Sequence, residues 1–282
     1  MDKHILEFID DRLTVEKARQ CALQLVLAPD SVSMMASDSA GEILALQSWQ
    51  AAKSERSFDA VEWDIRRMLK EEPVMGLPFG HIFPVVFHRN TTLVPRRLFQ
   101  HSAIAAYFKL LLAPAEYQYT YDELPEFDAY LISATQAKQA KLFAEFFPQQ
   151  RIRHQAVPLL RFFRELAQQN DHSIFVHFRH QVAQIAVFER QNLLFYNSFT
   201  FIAAADLLYY VLLAYDQFRL NPRDIPLDVA GSLLEDSEVY RMLYRFVREI
   251  RFVAPSKKFH LPRQEQALPD HCHVELFCLT HY

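Results

Sequence analysis

Three groupings in this sequence have residue types and spacing that could do chemistry. Asp270 is followed by His271, Cys272 and His273, the densest run of metal-capable groups in the chain. On an extended segment His271 and His273 share a face, and His177 or His180 would have to complete a tetrahedral site. Consecutive placement lacks the loop spacing of zinc folds, so the plainer reading is imidazoles at the start of a strand, with no metal. Arg241, Arg245, Arg248 and Arg251 recur every three or four residues, a basic stripe along a helix from Ser237 to Ile250 that would suit an acidic partner or a phosphate backbone. Glu235, Asp236 and Glu238 stand at the start of that helix, the order its dipole favours, which makes a solvated face the simpler account. Lys257 to Arg263 is a second basic stretch, read as a connection. Tyr209, Tyr210, Tyr215 and Phe218 crowd one segment, either as core or as an aromatic surface for a protein partner. The sequence carries no HExxH pattern and no local Cys–His signature of nucleophilic catalysis.

Composition narrows the classes further. The chain has 282 residues, 51% hydrophobic, 23% charged and 13% aromatic, which describes a globular protein with a sizeable core. Only 4 residues are glycine, about 1.4% against a usual share near ~7%, which argues against glycine-dependent phosphate loops. A net charge of -4 supplies no global field toward nucleic acid or an anionic membrane. Cys21, Cys272 and Cys278 are an odd set without CxxC spacing, as expected for reduced thiols. Cys272 and Cys278 on one strand would stand about 20 Å apart, beyond bridging. Met1 to Arg12 carries Asp2, Glu7, Asp10 and Asp11, unlike a signal peptide, and no stretch reaches an 18-residue apolar span, so a cytoplasmic location without a membrane helix is expected.

Elements that would position these groups begin at Cys21. CALQLVLA sets Leu23, Leu25 and Leu27 on one face, SVSMMAS continues in step and EILALQSW comes third, a three-strand meander turning at Pro29-Asp30 and at Asp38 to Gly41. Ser57 is placed to cap a helix to Glu72, stopped by Pro73. Then come a strand His81 to His88, a partner strand Thr92 to Leu98, a helix Ser102 to Leu112, a loop Pro114 to Pro125, a strand Ala129 to Ser133, a helix Thr135 to Phe147, a short strand Arg151 to Gln155, and a helix to Gln169. After Asn170-Asp171 the pattern restarts: SIFVHFR, QVAQIAVF and NLLFYNSF, a helix Ala203 to Phe218 apolar nearly all round, a strand IPLDVAG, the helix from Ser237, and strands RFVA and HVELFCL. Shifting the first meander by 150 positions lays it on the second without a gap, matching Val32 with Val182, Ala36 with Ala186, Leu44 with Leu194 and Ser48 with Ser198. The expectation is an α/β protein of two ribonuclease-H-like lobes, residues 1–170 and 171–282.

This layout resembles the actin-like ATPase fold shared by sugar kinases, heat-shock chaperones and actin. The stretch Asn192 to Ile250, with Asn197-Ser198-Phe199, Leu220-Asn221-Pro222, Ile225-Pro226-Leu227, Gly231 and Asp236-Ser237-Glu238, looks more specifically like a bacterial family of unknown function assigned to that fold. The resemblance implies a duplicated architecture and no activity. In the superfamily, a turn between the first two strands carries an Asp and a Gly, so that backbone amides reach phosphates while the carboxylate holds hydrated magnesium. Here that turn reads Ala28-Pro29-Asp30-Ser31, without glycine and with a proline that donates no amide. The matching second turn reads Arg179-His180-Gln181, and the adenosine motif is reduced to Val229-Ala230-Gly231-Ser232. No second carboxylate stands near Asp30 on the central strands, against a two-metal nuclease.

Asp30, Ser31, His180, Gln181, Gly231 and Ser232 are therefore candidates for a nucleotide remnant. The expectation is a non-catalytic binding or scaffolding protein without cofactor, whose partner is a protein and whose aromatic content is compatible with self-association. The alternative is a divergent ATP-binding enzyme or nucleotide switch, with Mg held at Asp30.

Overall fold

The computed structural model of the chain describes residues 3–51, 58–253, 259 and 268–281. The chain enters as strand β1 (Lys3–Ile9) and a single helical turn α1 (Val15–Ala18) capped by the Thr14 hydroxyl. The meander follows as β2 (Ala22–Leu27), β3 (Ser31–Ser37) and β4 (Ile43–Gln50). Helix α2 (Phe58–Glu71) leads to β5 (His81–Val86). The expected cap at Ser57 lies outside the described residues.

β6 (Thr91–Pro95), the short helix α3 (Ile104–Tyr107), β7 (Tyr117–Leu124) and β8 (Ala129–Gln136) form an insertion. The first half closes with α4 (Ala137–Phe146), β9 (Arg153–His154) and α5 (Ala156–Ala167). The second meander is β10 (His172–Arg179), β11 (Val182–Glu189) and β12 (Asn192–Thr200), followed by α6 (Ala204–Gln217), β13 (Leu227–Gly231), α7 (Glu238–Tyr244), β14 (Ile250–Phe252) and α8 (Val274–Phe277), the last flanked on each side by a 3₁₀ turn.

The two large sheets share one strand order. The first runs β1-β4-β3-β2-β5-β9 and the second β12-β11-β10-β13-β14, so that apart from the edge strand β1 they match strand for strand. Meander pairs are antiparallel, and the strands reached across a helix are parallel to the first strand of each meander. This is the two-lobed, duplicated actin-like architecture that the 150-residue shift anticipates. Each sheet is covered on both faces, which is why its strands read as apolar runs. Leu23, Leu25 and Leu27 pack with α2 and α4 on the outer face of the first sheet. Ile174, Val176 and Phe178 do the same with α6 and α7 on the second. Between the sheets, α5 and the α8 segment form one middle layer, joined to Val26 and Met35 from one sheet and Phe175 and Ala186 from the other in a single apolar cluster.

Several expectations are corrected. β6 pairs with β8 and not with β5, in a separate sheet of order β6-β8-β7. The segment read as a loop from Pro114 is largely strand β7, whose Tyr-Gln-Tyr-Thr-Tyr run has strong β propensity behind a proline-bounded start. Helix Ser102 to Leu112 reduces to a 3₁₀ turn and α3, and an N-terminal strand absent from the sequence reading flanks β4. Helix α6 is not buried all round: Leu207, Val211 and Tyr215 are fully buried, but Tyr209 is 62% exposed. HVELFCL is helix and 3₁₀ turn, not a strand. Val274 to Leu279 are all buried in the middle layer, and an apolar run buried on every side has no periodicity to separate helix from strand.

Candidate functional site

The two meander turns face each other across the interface of the lobes, and one side chain joins them. Arg179, the last residue of β10, is 5% exposed and reaches into the first lobe. Its Nη2 donates to Ser31 Oγ at 3.1 Å and Ser33 Oγ at 3.5 Å, and its guanidinium lies 5.5 Å from the Phe87 ring centroid. On its other side Nη1 donates to Glu275 Oε1 of α8. Burial would raise the Glu275 carboxyl, but Arg179, His177 and the hydrogen bond outweigh it, so that the group stays below the usual carboxylate range. A buried pair of this kind persists because each charge has the other; alone, either would carry a heavy desolvation cost. Behind it His177 Nδ1 contacts Gln184 Oε1 at 2.9 Å, and Gln184 Nε2 donates to Tyr196 Oη at 2.7 Å.

Arg179 separates two cavities. The larger, about 440 Å³, is lined by Asp30, Phe87, His88, Gln139, His180 and Gln181 among others. The smaller, about 90 Å³, is lined by Ser33, Gln47, His180, Ser232, His273 and Glu275 among others. Of the expected residues, Asp30, His180 and Gln181 thus share one wall system, Ser232 lies across the Arg179 partition, and Ser31 serves the partition itself.

One amide of each turn is engaged within the protein. The Ala28 amide donates to the Ser31 carbonyl at 2.9 Å and the His180 amide to Ser232 Oγ at 3.3 Å. His180 adopts φ 52°, a left-handed position where glycine would be unstrained. Asp30 accepts from Ser31 Oγ at 3.1 Å. Gly231, at φ 85°, is buried where β13 meets β10, and a Cβ there would stand 2.0 Å from the Phe178 carbonyl oxygen. Its role is close backbone approach, and the Ser232 amide donates to that same oxygen at 2.9 Å.

The arginine stripe does not form. α7 ends at Tyr244, so Arg241 lies on the helix, Arg245 at its C-cap, Arg248 in the following bend and Arg251 in β14. Arg251 instead pairs with Asp228, Nε to Oδ1 at 2.8 Å and Nη2 to Oδ2 at 2.7 Å. The basic stretch Lys257 to Arg263 lies outside the described residues, apart from Phe259. His271 is buried on a 3₁₀ turn, with Nε2 at 2.7 Å from the Leu233 carbonyl and its ring 4.1 Å from that of Phe252. Among the described residues no three His, Cys, Asp or Glu side chains gather as metal ligands. Cys21, Cys272 and Cys278 are free thiols, and no helix among the described residues is long and apolar enough to cross a membrane.

The residues that dominate this site, Arg179, Glu275, His88 and Gln139, were not singled out from sequence. The available signal was a charge at the edge of an apolar run: Arg179 closing SIFVHF and Glu275 inside HVELFCL.

A family model described as "Protein of unknown function (DUF3822)" matches residues 10–250. The chain belongs to this family. Among solved structures it is similar to a Bacteroides thetaiotaomicron protein with actin-like ATPase fold and unknown function, at 19% identity and TM-score 0.74, over 86% of this chain and 93% of that one. It is also similar to a chain from a PilM-PilN type IV pilus biogenesis complex, at 11% identity and TM-score 0.62, over 92% and 97%. No curated protein matches the sequence. These likenesses, together with the repeated sheet order, give the DUF3822 chain an actin-like fold.

Between the two turns lies the Arg179 guanidinium, committed to Glu275, Ser31 and Ser33. Pro29 offers no amide, and those of Ala28 and His180 are engaged within the protein.

Proposed function

We propose that this DUF3822 protein is a non-catalytic binding or scaffolding protein that retains actin-like lobes without a nucleotide cycle. The observation that supports this most directly is Arg179, which is held by Glu275 and reaches across from one turn to Ser31 and Ser33 beside the other. A protein is the partner class this reading favours. Ile202, just before α6, is 86% exposed, and Tyr209 and Leu213, one turn apart on that helix, are 62% and 41% exposed, apolar surface of the kind partners cover. The work expected of the protein is cytoplasmic, with self-association among its possible modes.

A second reading, a nucleotide switch holding magnesium at Asp30, draws on the place of that carboxylate in the wall of the larger cavity. Calorimetric titration with ATP and ADP, with and without magnesium, separates the two. No heat of binding at millimolar nucleotide is expected. Magnesium-dependent binding that Asp30→Ala abolishes would overturn the scaffold reading and put the switch in its place.

A further inference from the structure

Strand β7 leaves one edge of the small sheet unpaired. Among the described residues the order β6-β8-β7 gives it a neighbour on the β8 side alone, in unbroken register from Tyr117 against Gln136 to Leu124 against Ala129. A cavity of about 540 Å³ is lined in part by the consecutive residues Tyr119, Thr120, Tyr121 and Asp122. Side chains of successive strand residues point to opposite faces, so a cavity that meets all four lies along the edge. One contact fixes the direction of the main chain there. Arg151 Nη2 donates to the Tyr121 carbonyl at 2.8 Å, which turns that carbonyl away from β8. In an antiparallel ladder the amide and carbonyl of one residue point the same way and alternate along the strand, so the Tyr119 and Tyr121 amides face the cavity too.

An edge of this kind is a template for a further strand, and its walls select what can add. The 3₁₀ turn at His101–Ala103 and α3 flank one side through His101, Ile104 and Ala105, and Arg151 and Ile152 flank the other. The His101 ring stands 5.2 Å from that of Tyr121, so the first side is aromatic and aliphatic. A second copy of the chain would bring its own β7 with both walls attached, and one recessed edge does not reach another. A single extended segment does, since four residues of strand span about 13 Å. Charge is set on the second side. There Arg151 and Arg153 both pair with the Asp122 carboxylate, at 3.1 and 3.3 Å, and the Arg151 side chain is 64% exposed. Two guanidiniums on one buried carboxylate leave a positive surplus that an acidic side chain would meet.

We propose that the β7 edge takes up an extended segment of a partner protein as a fourth strand, apolar residues on the His101 side alternating with acidic residues on the Arg151 side. That class of partner is the one the scaffold reading supplies. The probe is a fluorescein-labelled peptide, Val-Glu-Val-Glu-Val-Glu, followed by fluorescence anisotropy on the whole protein. Val-Lys-Val-Lys-Val-Lys and the acidic peptide N-methylated along one edge serve as comparisons. Saturable binding of the acidic peptide is expected, with the Tyr119 and Tyr121 amides newly protected from hydrogen exchange, and both comparisons weaker by about tenfold or more. Ala105→Trp, which fills the groove from an exposed wall, should weaken binding by a similar factor, and Arg151→Glu should turn the preference toward the lysine peptide. Unchanged melting temperatures show that both variants fold. Absence of binding, equal binding of the comparison peptides, or indifference to both substitutions would overturn the assignment. Dimerisation without peptide that Ala105→Trp abolishes would overturn it as well, by putting a second copy at the edge. The scaffold reading fails on a different result, magnesium-dependent nucleotide binding, which no peptide outcome mimics.

Discussion

Replacing Glu275 by Leu leaves the Arg179 charge buried at 5% exposure with only Ser31, Ser33 and the Phe87 ring for company. Breaking a buried pair from one side costs about 3–5 kcal/mol, because the remaining ion keeps its desolvation cost and loses its counter-charge. The same range holds for Arg179→Met, which strands Glu275 in the middle layer. Removing both charges is a different perturbation. Met keeps the apolar stem of the arginine and Leu extends the surroundings of Val274 and Leu276, so the double variant should lie within about 1 kcal/mol of the parent. The coupling between the two positions is then about 5 kcal/mol or more, read from urea unfolding of the four proteins as a double-mutant cycle. Single variants that each lose under about 1 kcal/mol, or a double variant as unstable as the two losses added, would refute the claim that these residues act as one buried unit. In the first case solvent reaches the pair; in the second, the two side chains are needed for packing alone.

Other perturbations probe neighbouring parts. Burial holds His154 down, from 6.5 to about 4, outweighing the contact of Nε2 with the His88 carbonyl, which favours the proton; Nδ1 accepts from the Ala156 amide. The unfolded chain therefore takes up a proton first as pH falls, so stability is full above 6.5 and declines toward 4, by about 3 kcal/mol for this group at ~1.4 kcal/mol per unit. Denaturant midpoints across that interval should show the slope, steepened by His88, which burial also holds down, and His154→Gln should flatten it. Gly231→Ala forces a Cβ against the Phe178 carbonyl at φ 85° and should cost at least about 3 kcal/mol by the same unfolding assay. Arg251→Met removes both hydrogen bonds to Asp228, whose carboxyl burial already pushes up. Carbon NMR titration should find that carboxyl higher still in the variant; an unmoved value would mean that Arg251 does not hold the charge.

Local pattern made the meanders legible. Leu23, Leu25 and Leu27 alternate with Gln24 and Val26, turns fall at Pro29-Asp30 and Asp38 to Gly41, and the 150-residue shift repeats both. Of the middle layer, α5 was legible as the helix to Gln169, but the C-terminal segment was not, because it is apolar at every position from Leu276 to Leu279 and so reads equally as strand. Length limits failed as well: the helix expected to Ile250 stops at Tyr244, dispersing a basic stripe that depended on helical continuity. Of the site, Asp30, His180 and Gln181 were found through the turns that hold them. Arg179 and Glu275 stand 96 residues apart, and no periodicity links positions brought together only when both sheets close on one layer.

That shared layer bears on motion. Where two lobes meet through a modest polar interface, rigid-body rotation about a hinge is cheap. Here any such rotation would shear a continuous apolar cluster that includes Val26, Met35, Leu160, Phe175, Ala186 and Leu276, and would pull Arg179 away from Ser31. Close-packed interiors resist that kind of gradual deformation. The two halves then behave as one stiff body.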